Sequence, residues 1–213
     1  MNLDPENRAD SANAANSSGG SAQYPPSPTA HLVLDAAAIE RALRRIAHEI
    51  IERNPELEKI ALIGVPSRGV EVACRLAANI EEFGKQKVET GVIDVSMHRD
   101  DLRIRPRLTR IEPTRLPHEL SGRTLILCDD VLFSGRTCRA AMDSVASFGR
   151  PAKIQYAVLI DRGHRELPIR ADYVGKNLPT GVQQRVYVRF QTVDAVPDSV
   201  WMERNDQIPM TND

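Results

Sequence analysis

Between residues 35 and 53, Ile39, Leu43, Ile46 and Ile50 recur at three- and four-residue intervals, the spacing of one buried helical face. Asp35 stands where an N-cap belongs, and Asn54-Pro55 provides the stop. The apolar run Ile60-Ala61-Leu62-Ile63-Gly64-Val65 predicts a buried strand, Pro66 to Gly69 a turn, and the residues up to about Phe83 a second helix. Further strands are predicted at 88–96, 124–128, 154–160, 172–175 and 186–193, with a helix at 136–148. Strands alternating with helices predict an α/β domain with a largely parallel sheet.

Two segments break this rhythm. Residues 1–29 are rich in Ser, Asn, Ala and Pro, with only Leu3 and Tyr24 as large apolar groups, too few to offset the entropy of ordering. They predict a disordered tail ahead of a domain spanning 30–213. Without an apolar h-region, and with Asp4, Glu6 and Asp10, the tail resembles neither an export signal nor a transit peptide. Between 97 and 118, Leu102 to Leu108 alternates so that Arg103, Arg105 and Arg107 share one face, while Pro106, Pro113 and Pro117 keep the segment out of a central strand. An Arg-lined arm closing over an anion and a merely soluble hairpin are both consistent with that pattern.

Charge narrows the function classes. The chain has 28 Lys+Arg against 29 Asp+Glu, and removing the tail's one Arg and three acids leaves a domain at +1. A protein that coats nucleic acid by bulk charge is excluded. No run approaches the roughly 20 apolar residues of a membrane span. Cys74, Cys128 and Cys138 form no CxxC pair, so neither a disulfide framework nor a zinc knuckle is indicated, and a reducing cytoplasm is the expected location. Arg nevertheless outnumbers Lys by 23 to 5, and Arg suits planar, bidentate contacts with phosphate. Arg41, Arg45 and His48 lie on one face of the first helix, where Glu40, Glu49 and Glu52 also allow an ordinary solvated surface.

The segment with the clearest chemistry is Leu125-Ile126-Leu127-Cys128-Asp129-Asp130-Val131-Leu132-Phe133-Ser134-Gly135-Arg136-Thr137. An apolar strand leads into two carboxylates, a short glycine-containing loop and a helix start. Ligands of open α/β sheets bind beyond the carboxyl ends of strands. Ser134 to Thr137 would present backbone N–H groups and hydroxyls to a phosphate at a helix N-terminus, with Gly135 permitting close approach. The Walker spacing is absent. Asp129 and Asp130 suit the vicinal hydroxyls of a ribose or a divalent metal held through water. A 5-phosphorylated ribose satisfies both halves.

These thirteen residues resemble the phosphoribosyl-pyrophosphate (PRPP) motif of type I phosphoribosyltransferases. The wider chain resembles the PyrR family of pyrimidine operon regulators with uracil phosphoribosyltransferase activity, most distinctively over Asp161-Arg162-Gly163-His164-Arg165-Glu166-Leu167-Pro168-Ile169-Arg170-Ala171-Asp172-Tyr173-Val174-Gly175-Lys176-Asn177. The resemblance implies the type I fold: a mostly parallel sheet flanked by helices, a flexible β-arm and a small base-binding hood. It also implies transfer of the phosphoribosyl group from PRPP to uracil, giving UMP and pyrophosphate with Mg²⁺.

By the same resemblance, Asp129, Asp130, Arg68 and Arg99 are catalytic, the two aspartates holding Mg²⁺ through water or PRPP. Residues 125–137 bind PRPP, while Ser67, Arg68 and Gly69 bind pyrophosphate. Asp161, Arg162, Tyr173 and the Val174 backbone frame the base, with Tyr173 stacking on it. Arg45, His48, Ser67, His164, Arg165, Arg170 and Lys176 match positions that bind an mRNA leader stem-loop, and a homodimer or higher homo-oligomer is implied. The chain departs from relatives at Phe133, where some purine-using enzymes carry an acid, at His98, at Pro66-Ser67 and at Arg44, which replaces a Thr. A nucleotide-sensing RNA-binding protein with little turnover, and a phosphoribosyltransferase without an RNA role, remain alternative readings of the same residues.

Overall fold

The computed structural model describes residues 25–96 and 113–204. Its elements run β1 (His31–Asp35), α1 (Ala36–Arg53), β2 (Ile60–Gly64), α2 (Arg68–Gly84), β3 (Glu89–Val92), β4 (Thr124–Leu132), α3 (Arg136–Ala146), β5 (Lys153–Asp161), β6 (Tyr173–Asn177), β7 (Gln184–Arg189), α4 (Gln191–Asp194) and β8 (Ser199–Arg204). The first helix starts and stops where the pattern places it. Ala38 N donates to Asp35 Oδ1 at 2.7 Å, and Asn54 closes the C-terminus through its own N–H and its Nδ2, both donated to Ile50 O.

A five-stranded sheet in the order β3-β2-β4-β5-β6 is parallel throughout. Alternation along its strands divides the core between its faces. Ile60, Leu62, Ile126 and Cys128 pack with α1 and α2 residues such as Leu43 and Leu76. Ala61, Ile63, Leu125 and Leu127 pack on the opposite face with Ala141 and Val145 of α3. β4 is longer than the 124–128 predicted. Pairing with β5 carries it on through Asp129, opposite Val158, and Val131, opposite Ile160, to Leu132.

Of the strand predicted at 186–193, the part to Arg189 belongs to β7 while Gln191 onward turns into α4, and β7 lies outside the parallel sheet. It pairs antiparallel with β8, which pairs antiparallel with β1, and neither β1 nor β8 is signalled by a long alternating run. Val188, Phe190 and Val200 are buried in the α1/α2-side core, which anchors this small sheet as a hood. Arg75 of α2 fastens it: Nε donates to Glu71 at 2.6 Å, Nη1 pairs with Asp198, and the guanidinium lies 4.8 Å from the Phe190 ring centroid. The predicted tail falls largely, and the Arg-lined stretch of the arm with Arg99 entirely, outside the described residues. Val92 and Arg115, flanking that stretch, exchange two backbone hydrogen bonds of 2.8 Å. Among the described residues no helix is long and apolar enough to cross a membrane.

Burial raises the Asp198 carboxyl, but hydrogen bonds from Arg75 and Gln191 N outweigh it and leave the pKa below the usual value. A carboxylate with a depressed folded pKa contributes stability above its unfolded pKa and loses it as pH falls. Arg75→Met is therefore expected to cost about 2 kcal/mol at neutral pH. The deficit should narrow below about pH 4, and denaturant titrations of both proteins across that range measure it.

Candidate active site

The β2–β4 ladder places Gly64 beside Cys128, so two strand-to-helix turns leave the same rim. The first runs through Val65 to Arg68 and includes a cis Pro66–Ser67 peptide. Val65 N donates to Cys128 O at 2.9 Å, and Gly69 lies so close to β4 that a Cβ there would sit 2.4 Å from the same carbonyl. That approach explains a glycine at this point. Ser67 makes no side-chain capping bond, so the first N–H groups of α2 have no side-chain acceptor from it.

The second turn contains Ser134 and Gly135 and opens α3. Gly135 has φ +92°, a left-handed conformation that favours glycine, and lies beneath Ile169, 3.3 Å from the position of a Cβ. Ser134 Oγ reaches an amide of the helix start, accepting from Arg136 N at 3.4 Å. The rim thus carries two helix N-termini open to anions, one from the expected pyrophosphate loop and one from the expected phosphate loop.

Asp129 and Asp130 belong to β4 itself, and adjacent strand residues point to opposite faces. They are therefore not equivalent. Asp129 is buried, accepting from Tyr156 Oη at 3.0 Å and from Asp130 N at 2.9 Å. Burial, followed by the neighbouring Asp130 charge, pushes its carboxyl well above the usual range. Asp130 is partly exposed, its Oδ1 accepting from Val131 N at 2.9 Å. Leu125 to Cys128 are fully buried and serve the loop as its core anchor, without side-chain access to a ligand. The Cys128 thiol is likewise raised by burial and is a packing group.

The loop after β5 is stitched to the phosphate loop. Arg165 donates from Nε to Ile169 O (2.9 Å), from Nη1 to Phe133 O (2.8 Å) and Gly163 O (3.0 Å), and from Nη2 to Asp161 Oδ2 (2.5 Å). Glu166 N and Leu167 N both donate to Ser134 O, and Arg136 Nε reaches Glu166 at 2.7 Å. Arg162 stacks 4.4 Å from the Phe133 ring centroid and donates to Gln184 O and Thr180 Oγ1, joining the loop to the hood's approach. A cavity of about 410 Å³ opens here, lined by Asp161, Arg162, Gly163, Arg165, Ile169, Arg170, Asn177 and Pro179.

Two residues expected at the base lie deeper than that role requires. Tyr173 is fully buried at the start of β6, beside Ala157, with Asn54 Nδ2 donating to its Oη at 3.0 Å. The Val174 carbonyl is taken by Arg45 Nη2 at 2.8 Å, and its register beside Val158 puts it below the rim that ends at Asp161. The aromatic beside the loop is Phe133, and Asn177 and Pro179 line the cavity instead.

Of the residues matched to RNA contacts, Arg170 and Lys176 are exposed, and Lys176 lies beside Ile160 on the strand preceding the loop. His164 is exposed in a left-handed conformation and pairs with Thr180 O. Arg45 is exposed yet bonded to Val174 O, Gly175 O and Glu49, and His48 stacks on Phe83 with centroids 4.2 Å apart. Arg165 serves chiefly to join the two loops. The sequence reading also missed Asp194, which carries no local motif and meets Arg68 and Arg189 from the hood.

Because the Asp129 pKa lies above its unfolded value, the native carboxyl keeps its proton at mildly acidic pH and costs stability as pH rises past the ordinary carboxylate range. Asn can preserve both hydrogen bonds, donating to Tyr156 Oη. In Mg²⁺-free melts from about pH 4 to 8, Asp129→Asn is expected to gain thermal stability relative to wild type progressively as pH rises.

Residues 31–189 match the family described as phosphoribosyl transferase domain. The bifunctional protein PyrR of Roseiflexus sp. (strain RS-1) is 52% identical over 172 residues, 81% of this chain and 94% of the relative. That of Leifsonia xyli subsp. xyli is 50% identical over 178 residues, covering 81% and 96%. Among solved structures, a hypoxanthine phosphoribosyltransferase of Trypanosoma cruzi superposes with a TM-score of 0.61 at 19% identity, over 81% of this chain and 95% of that one, a likeness of fold. With the parallel sheet, the two open helix N-termini and identity at this level over most of its length, the chain belongs to the PyrR family of phosphoribosyltransferase-domain proteins.

Proposed function

We propose that the protein transfers the phosphoribosyl group of PRPP to uracil, forming UMP and pyrophosphate, and that it binds a pyrimidine-gene mRNA leader more tightly with UMP bound. The carrying observation is the pair of helix N-termini that follow the adjacent strands β2 and β4, with the Asp130 carboxylate on β4 itself. PRPP has the same arrangement: a 5-phosphate at one end, a pyrophosphate at the other and two ribose hydroxyls between.

In this reading the α3 N-terminus with Ser134, Gly135 and Thr137 holds the 5-phosphate. Ser67, Arg68 and the Gly69 amide hold the pyrophosphate, and Asp130 orients the ribose hydroxyls from one face of β4 while buried Asp129 sets the strand end. The glycosidic N1–C1′ bond forms as the C1′–O bond to pyrophosphate breaks. Positive charge grows on the ribose ring and negative charge on the leaving group, which the α2 dipole and Arg68 stabilise. No side chain is assigned to the N1 proton, since Phe133 occupies the position where purine-using relatives place an acid.

The described residues hold no cluster of three or more His, Cys, Asp or Glu fit to bind a metal alone. The partly exposed Asp130 carboxylate fits Mg²⁺ arriving with the substrate, because Mg²⁺ is commonly held by one or two carboxylates plus phosphate oxygens. Asp130 and the pyrophosphate oxygens would hold Mg²⁺, which would neutralise charge on the leaving group. Uracil enters at the rim framed by Asp161 and Arg162. His164, Arg170 and Lys176 provide phosphate contacts for folded RNA, which is recognised mainly by shape and backbone. A homo-oligomeric, cytoplasmic protein completes the reading.

Purified protein with PRPP, uracil and Mg²⁺ is expected to release UMP, and its absence overturns the catalytic half. Asp130→Asn should lower kcat/KM by about two orders of magnitude with an unchanged melting temperature. For the regulatory half, gel shifts with the gene's own leader should show UMP-enhanced affinity that weakens steeply with salt. Lys176→Gln should reduce that affinity while leaving UMP synthesis intact.

A further inference from the structure

Arg68 opens α2 at the anion-binding rim, yet its guanidinium is held from outside the parallel sheet. Asp194, at the end of α4 in the hood, accepts from Arg68 Nε at 3.1 Å and pairs with its Nη2. The same carboxylate accepts from Phe190 N at 3.0 Å and meets Arg189 Nη1 at 3.4 Å. Its side chain is only 5% exposed, whereas that of Arg68 is 26% exposed and that of Arg189 is 14% exposed. One buried carboxylate thus faces two guanidiniums, so the cluster retains a positive charge, and its more exposed member is the one at the pyrophosphate loop. A free Arg at a helix start would sample many rotamers, and ordering it on binding would cost affinity.

We propose that Asp194 is the positioning residue for Arg68: it presets the guanidinium at the α2 N-terminus for the pyrophosphate end of the substrate and joins the hood to that loop. The inference rests on the phosphoribosyl-transfer reading. It requires no change in the bonds made or broken, only that the anion clamp be ordered before substrate arrives.

Steady-state kinetics with PRPP and uracil test it. Asp194→Asn keeps the acceptor for Phe190 N but removes the charge, and is expected to raise KM for PRPP and the inhibition constant of pyrophosphate about tenfold and to lower kcat, with the KM for uracil within about twofold. In an Arg68→Gln background the same substitution should add nothing, because its effect runs through Arg68. Asp194→Glu keeps the charge, and with it the fold, but shifts the carboxylate by one methylene; it should raise KM for PRPP in the same selective way. An unchanged KM for PRPP in both variants, or equal effects with and without Arg68, overturns the inference and leaves Asp194 a purely structural tie. If wild-type protein forms no UMP, the underlying reading fails instead.

Discussion

The parallel pairing of β2 with β4 is the constraint on which the site depends. Parallel strands send both of their following turns to the same edge, and each turn here opens a helix. The two helix dipoles and the N–H groups of both first turns therefore meet on one rim, a geometry that neither turn has alone. Close packing enforces it: Val65 N and the Gly69 backbone both crowd the Cys128 carbonyl, leaving no room for a side chain at 69. An anion with two charged ends is matched by backbone before any side chain acts.

Around that rim the side chains divide between shaping and contacting. Asp129, Arg165 and Asp161 are largely spent on internal partners: Tyr156, the Phe133 carbonyl, and the turn at Gly163. Arg165, with the Glu166 and Leu167 amides on Ser134 O, ties the phosphate loop to the loop after β5. Because the loop after β5 also bears His164 and Arg170, a nucleotide held at the first loop and an RNA held at the second would lie on connected structure. The hood enters through polar ties, Arg75 with Asp198 and Arg68 with Asp194, set around a buried apolar contact at Phe190.

Tyr173 shows where reading a linear pattern stops short. An aromatic followed by Val and Gly after a strand-loop resembles a base-stacking motif, but register decides which side of the rim a residue occupies. Pairing with Ala157 sets Tyr173 four residues below Asp161, into the core under α1. Asp194 is the converse case. An acid near the end of a short helix has no local signature, and its significance comes only from the two arginines brought to it by different elements.

By itself, the sequence determined what local physics determines. The 3.6-residue period and caps of α1, the buried runs of β2, β4 and β5, and the Ser-Gly turn ahead of α3 were all legible, because each depends on residues only a few positions apart. The tertiary structure decided what depends on partners far along the chain. It joined β1 to β8 and β7 as a hood, extended β4 through both aspartates because β5 offered a ladder, and sent those two carboxylates to opposite faces. Backbone pairing and burial are long-range events in sequence, so the chemistry of Asp129, Tyr173 and Asp194 could be assigned only once their neighbours were in place.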